Sequence, residues 1–166
     1  VGEAGDGNAG FGSETRTTIF DYWGVPTHQR WMNEGAFDGG QLSPEEKELN
    51  SFYKTLLYFS SKSAALTGKY KEIHSLNRKK TKGYSNKIFS FVRWKNNDRL
   101  IVVSNFDDKE SYKLKLAVDK ELLLEWKLEE GIHKLTDQLT GSNFELNVEN
   151  GSMYIDLEIS PLESFV

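Results

Sequence analysis

A change of period near residue 68 most constrains what this chain can fold into. One capped amphipathic helix gives way there to a long stretch of short runs that alternate between apolar and polar positions. The helix start is written out in Ser43-Pro44-Glu45-Glu46. Ser43 is placed to cap, Pro44 sits where a missing N–H costs nothing, and Glu46 closes a capping box. The spacing predicts a helix from about Pro44 to Ser60, with Leu49, Phe52, Tyr53, Leu56 and Leu57 at i, i+3, i+4, i+7 and i+8. Those positions form one stripe, and a stripe needs a partner surface. Residues 1–12 carry Gly2, Gly5, Gly7, Gly10 and Gly12 with almost no apolar surface, so they read as loop that starts partway through something larger.

After Gly68 the period is two. A first strand is expected over about Lys69 to Ser75. Lys87 to Lys95 (KIFSFVRWK) and Arg99 to Phe106 (RLIVVSNF) are β-rich runs joined by the turn residues Asn96-Asn97-Asp98, and they form a hairpin. Leu114, Leu116 and Val118 alternate with polar neighbours, Leu122 to Leu128 is a further apolar run, and Phe144, Leu146 and Val148 alternate again. Each predicts a half-buried strand. Asn150-Gly151 before Met153 to Ile159 signals a type I′ turn, which needs positive φ at both central positions. Six to eight short strands at this spacing predict an antiparallel β-sandwich rather than βαβ units.

Composition bounds the functions open to such a chain. At 166 residues there is material for one ordinary core and an appendage. Thirteen per cent aromatic residues is more than a disordered chain carries. A net charge of −4 gives no general attraction to nucleic acid or to anionic lipid. One basic run, Asn77 to Lys82, departs from this balance and is expected to be a solvated loop before a strand. Cysteine is absent, which removes disulfides and thiolate metal sites. No run approaches the ~20 apolar residues of a membrane span, and the N-terminus has no signal-peptide pattern.

Side chains that carry chemistry are scattered. His28, His74 and His133 have no second histidine at ligand spacing, so packing or surface roles are expected and no metal is called for. The early glycines neither follow a strand nor open a helix, as a phosphate cradle requires. Asp107, Asp108, Glu129 and Glu130 read as turn and surface charges. The densest candidate region is Thr17 to Trp23 with Arg30-Trp31. Its aromatic rings suit stacking on sugars, and they suit packing against a neighbouring body equally well.

These residues carry a resemblance. Arg16 to Trp23 (RTTIFDYW), Trp31 to Gly40 (WMNEGAFDGG) and the Ser43-Pro44-Glu45-Glu46 helix with Phe52-Tyr53-Lys54 and Leu56-Leu57 stand in the order found at the end of the catalytic barrel in α-amylases of glycoside hydrolase family 13. Lys87 to Trp94 followed by Leu100 to Phe106 is similar to the paired strands opening that family's C-terminal β-domain, and Ile159 to Val166 resembles its closing strand. The resemblance implies residues 1–62 as the terminal loop and last helix of a barrel and 63–166 as the C-terminal β-sandwich.

It also implies a parent that cleaves internal α-1,4 bonds of starch-like glucans with retention, and a periplasmic or secreted setting. The motifs that hold that family's catalytic carboxylates are not in this sequence, so the resemblance assigns no catalytic residue. Arg16, Asp21, Tyr22 and Trp23 would border the substrate groove. No cofactor and no metal are implied. The expected partners are an α-glucan, the rest of the barrel, and a second copy through the 44–60 helix. The other roles open to the sandwich are a glucan-binding module or a purely structural shield. Trp94 and Trp126, both in strand-like runs, are open to either a core or a platform reading.

Overall fold

A computed structural model describes residues 25–166. The chain divides into two compact units, residues 1–55 and 56–166. In the first, helix α1 spans Pro26–Met32, with proline at its start and Asn33 in the left-handed region (φ 45°) at its end. A single 3-10 turn, Asn33–Gly35, follows. Helix α2 spans Pro44–Lys62, through the boundary of the units, and its capping box is made as expected. The Glu46 N–H is donated to Ser43 Oγ at 3.2 Å, and the Ser43 N–H to Glu46 Oε2 at 2.9 Å. The predicted stripe, however, is not covered among the described residues: no residue of α2 is buried, and Leu49, Phe52, Tyr53 and Leu57 are all exposed.

The second unit holds eight strands: β1 Lys69–Glu72, β2 Ile88–Lys95, β3 Asp98–Asn105, β4 Tyr112–Val118, β5 Gly131–Thr136, β6 Asn143–Glu149, β7 Ser152–Ile159 and β8 Ser164–Phe165. They form two antiparallel sheets, ordered β1-β2-β3-β8 and β4-β7-β6-β5. The architecture is the mainly β, sandwich-like one that the alternation predicts. Alternation sets what each face does. Ile88, Val92 and Trp94 of β2 turn to the same core as Leu114, Leu116 and Val118 of β4, Leu146 and Val148 of β6, and Met153, Ile155 and Leu157 of β7. The Asn150-Gly151 hairpin pairs Glu149 with Ser152, with φ of 52° and 70° at its two central residues, as a type I′ turn requires.

Gly68 is where the chain enters the first sheet, and its lack of a side chain is obligatory. A Cβ there would meet the Trp94 carbonyl oxygen at 2.0 Å, so the backbones pass too closely for any other residue.

Three expectations are corrected. The run Leu122 to Leu128 is not a strand: helix α4 spans Glu121–Glu125. Three successive leucines do not alternate. The turn at Asp119 starts a helix instead, taking the Leu122 N–H on its carbonyl and the Glu121 N–H on its carboxylate, each at 3.0 Å. Leu122 and Trp126, four apart, then fall on one buried face while Leu124 is left exposed. Second, the basic run Asn77 to Lys82 is not simply a loop, because helix α3 spans His74–Lys80 and cuts β1 short at Glu72. Its exposed Arg78, Lys79 and Lys80 occupy the last turn, where the helix dipole favours cations. Third, Asp107 is a turn residue but not a surface one. It is 3% exposed and accepts from Tyr112 Oη at 2.8 Å and from Lys87 Nζ at 3.1 Å. Tyr112 first, then Lys87, hold its carboxyl down at about 2.

The anchor of α3 is polar. Asn77 is fully buried; its Nδ2 donates to the carbonyls of Ile73 and Ala117 (2.8 and 2.9 Å), and its Oδ1 accepts from the Ala117 N–H (2.8 Å) and from Thr81 Oγ1 (2.6 Å). Truncation leaves several of these groups buried without partners, at about 1–3 kcal/mol for each such group. Asn77→Ala is therefore expected to destabilise the second unit by at least about 2 kcal/mol, seen as a lower urea midpoint at unchanged slope. An unchanged midpoint would show that Asn77 does not tie α3 to β4.

Candidate functional site

Arg16, Asp21, Tyr22 and Trp23, the groove residues implied by the resemblance, lie outside the described residues, as does the loop from Thr17 to Trp23. What is described of that region begins with α1. There Arg30 forms a two-pronged pair with Glu46 at the head of α2, with Nε to Oε2 at 3.0 Å, and Trp31 meets His28 and Phe37 at ring-centroid distances of 6.1 and 5.9 Å. Asp38 Oδ1 accepts from Asn33 Nδ2 and from the Gly40 N–H, each at 2.8 Å, which fixes the turn between the helices. These contacts are internal to the segment and leave Phe37 exposed.

Trp94 and Trp126 are both core residues. They are 9% and 2% exposed, and their rings meet edge-on at 6.2 Å. Trp94 Nε1 donates to Glu125, whose carboxylate also pairs with Lys69. Neither indole offers a face to a sugar.

Alternation hides a different aromatic surface, on the outer face of the first sheet. Leu100 and Val102 on that face pack with Ala65, Phe59 and Leu66. Beyond them Phe89 and Phe91 of β2 lie beside Tyr70 of β1. Tyr70 and Phe91 are 5.6 Å apart, Phe91 and Phe89 5.9 Å, and Phe89 and His74 5.5 Å. Tyr70 and Phe89 are exposed, at 53% and 38%. Register places Arg93 opposite Tyr70 and Glu72 opposite Phe91, so a cation and a carboxylate share the face with the rings. The sequence did carry this signal, because Phe89 and Phe91 stand two apart in a strand whose other face is also apolar. A row of this kind offers apolar stacking area with polar groups within reach.

The histidines have local roles. His74 Nδ1 lies 2.8 Å from the Ile88 carbonyl and 3.3 Å from Tyr84 Oη, and His133 Nε2 lies 2.8 Å from the Glu129 carbonyl. Glu130 accepts the N–H groups of Asn150 and Gly151 at 3.0 Å, which holds the β6–β7 turn. Among the described residues no group of three or more histidines or carboxylates is placed to hold a metal ion.

The two sheets form an antiparallel β-sandwich. This chain is similar to AmyP in complex with maltose, at 17% identity and a TM-score of 0.48, over 75% of this chain and 21% of that one. It is similar to a variant of AmyP in complex with maltotriose at 17% identity and a TM-score of 0.49, with the same coverage. The chain thus spans about a fifth of the length of these structures. No protein-family model and no curated protein matches it.

Glu46 gives the region a pH signature. The Arg30 guanidinium first, then the Ser43 N–H, hold its carboxyl down at about 2, against 4.5 for an unperturbed glutamate. A carboxylate whose folded value lies below its unfolded one stabilises above the unfolded value, and that contribution is lost as pH falls from about 4.5 toward 2. In Arg30→Met the Glu46 carboxyl is expected to titrate closer to its ordinary value, as followed by carboxyl-carbon NMR. A titration identical to that of the parent would show that Arg30 does not hold it.

Proposed function

We propose that this chain is the C-terminal part of an α-amylase-type glycoside hydrolase acting on α-1,4-glucans. In this reading residues 1–62 close the catalytic barrel, residues 63–166 form the β-sandwich that follows, and the chain alone does not catalyse. The observation that carries the reading is α2. A helix of this length with a continuous apolar stripe and no buried residue is what a barrel helix presents to barrel strands. The order of motifs supports it as well. In the parent, Arg16, Asp21, Tyr22 and Trp23 would sit on the βα loop that borders the substrate groove.

Two consequences are checked on one preparation. The chain is expected to leave soluble starch and a chromogenic maltooligosaccharide intact. It is expected to self-associate through the α2 stripe in sedimentation across a concentration series. Turnover that disappears when a carboxylate within the chain is replaced would overturn the reading. A strict monomer whose size and stability are unchanged by Leu56→Asp would show that the stripe is neither an interface nor a core face.

A second reading, a non-catalytic glucan-binding module, is favoured by the aromatic row of Tyr70, Phe91 and Phe89, in which Tyr70 and Phe89 are exposed and Phe91 is half-buried. With Trp94 and Trp126 in the core, binding in this reading rests on that row. Weak saturable binding of maltoheptaose, in the millimolar range, should then appear by NMR titration and weaken at least about fivefold in Tyr70→Ala. Binding that is indifferent to Tyr70→Ala, or no binding, would leave the face without a sugar role.

A further inference from the structure

Asn150-Gly151 is the one Asn-Gly pair in the chain, and this dipeptide carries a reaction of its own. The backbone nitrogen that follows an asparagine attacks the side-chain Cγ when the two meet, and glycine, with no side chain, leaves that approach open. The bond from nitrogen to Cγ forms, the bond from Cγ to Nδ2 breaks, and the proton of the attacking N–H leaves with ammonia. Water then opens the five-membered imide at either carbonyl, giving aspartate or isoaspartate. Water is the only co-reactant.

The turn opposes this attack. Its φ values of 52° and 70° are those of a type I′ turn, in which ψ of the first central residue is about 30°. At that ψ the Gly151 nitrogen lies nearly opposite the Asn150 side chain across the Cα–C bond, whereas closing the ring needs both on the same side. The peptide between the two residues must therefore swing over. Two hydrogen bonds resist the swing, because the N–H groups of Asn150 and Gly151 are both donated to the Glu130 carboxylate, at 3.0 Å each. Pairing of Gly131 with Val148 is what brings Glu130 alongside the turn. The Asn150 side chain itself is exposed, so the hold on the reaction is a hold on the backbone.

We propose that Asn150 is a self-modification site, converting to aspartate and isoaspartate, and that Glu130 sets the rate by keeping the Gly151 N–H in the turn. Conversion undoes its own restraint. A new carboxylate at position 150 stands beside Glu130 and next to Glu149, and like charges so close repel. Isoaspartate also routes the backbone through the former side chain, which lengthens a turn whose fit depends on two residues of fixed geometry. The pairs nearest to it are Glu149 with Ser152 and Val148 with Met153, and Val148 and Met153 belong to the core. Slipping by one residue offers no relief, since it would turn the apolar set of the strand outward. The modified hairpin opens from the turn inward, and the second unit loses stability with age. This inference is independent of the amylase reading.

The test incubates the chain at neutral pH beside Glu130→Ala and Glu130→Gln, with a free peptide of residues 145–155 as the unclamped reference. Mass spectrometry of the proteolytic fragment carrying Asn150 reads deamidation, and chromatography separates isoaspartate from aspartate. The free peptide is expected to convert at least about tenfold faster than the folded chain, and Glu130→Ala at least about fivefold faster. Glu130→Gln, which keeps one carbonyl acceptor for two N–H groups, should fall between parent and Glu130→Ala. Asn77→Ala weakens the same unit without touching the turn, and should convert at the parent rate if opening is local. A folded chain as fast as the peptide, equal rates in the parent and Glu130→Ala, or Asn77→Ala accelerated as much as Glu130→Ala would each overturn the proposal.

Discussion

Everything described in the second unit depends on the burial of one face of each sheet against the other. The inward residues of β2, β4, β6 and β7 make a single apolar cluster, and fully burying side chains of that size contributes about 1.5–3 kcal/mol apiece before chain entropy is charged against it. Trp94 and Trp126 lie inside that cluster. The connections are fitted to it rather than independent of it. α4 exists to deliver Leu122 and Trp126, and α3 is tied down by Asn77 bonding to the backbone of β4. Asn105 and Asp107 do the same at the opposite corner, where Asn105 Nδ2 reaches the Glu110 and Ser160 carbonyls and the Asp107 carbonyl accepts the Leu162 N–H.

The parts of this fold legible in the sequence are those whose signal is local. The capping box at Ser43 and Glu46, the β2–β3 hairpin and the Asn150-Gly151 turn each follow from residues in contact along the chain. What was not legible depends on partners far away. Asn77 in a basic run gives no apolar signal, yet it anchors a helix by bonds to a residue forty positions on. β5 has only His133 and Leu135 turned inward, too few for a pattern, and it is held by pairing along β6. β8 is two residues long. The indole of Trp94 is ambiguous for the same reason: alternation says that a strand has two faces, and the opposing sheet decides which one is wet, whereas Trp126 is buried by its place at the end of α4, four residues after Leu122.

The surfaces left over carry the functional argument. One face of the first sheet presents Tyr70, Phe91 and Phe89 with Glu72 and Arg93, and α2 presents Leu49, Phe52, Tyr53 and Leu57. Neither is explained by the stability of the sandwich, since the core is satisfied without them. Exposed apolar area of this extent marks an interaction surface.

Native-state amide exchange over a denaturant series tests most directly whether the two sheets stand or fall as one core. The account predicts that the slowest amides of β2 and β3 and those of β6 and β7 open with the same free energy and the same denaturant slope, because neither sheet keeps its buried face without the other. Two distinct opening free energies, one for each sheet, would contradict it.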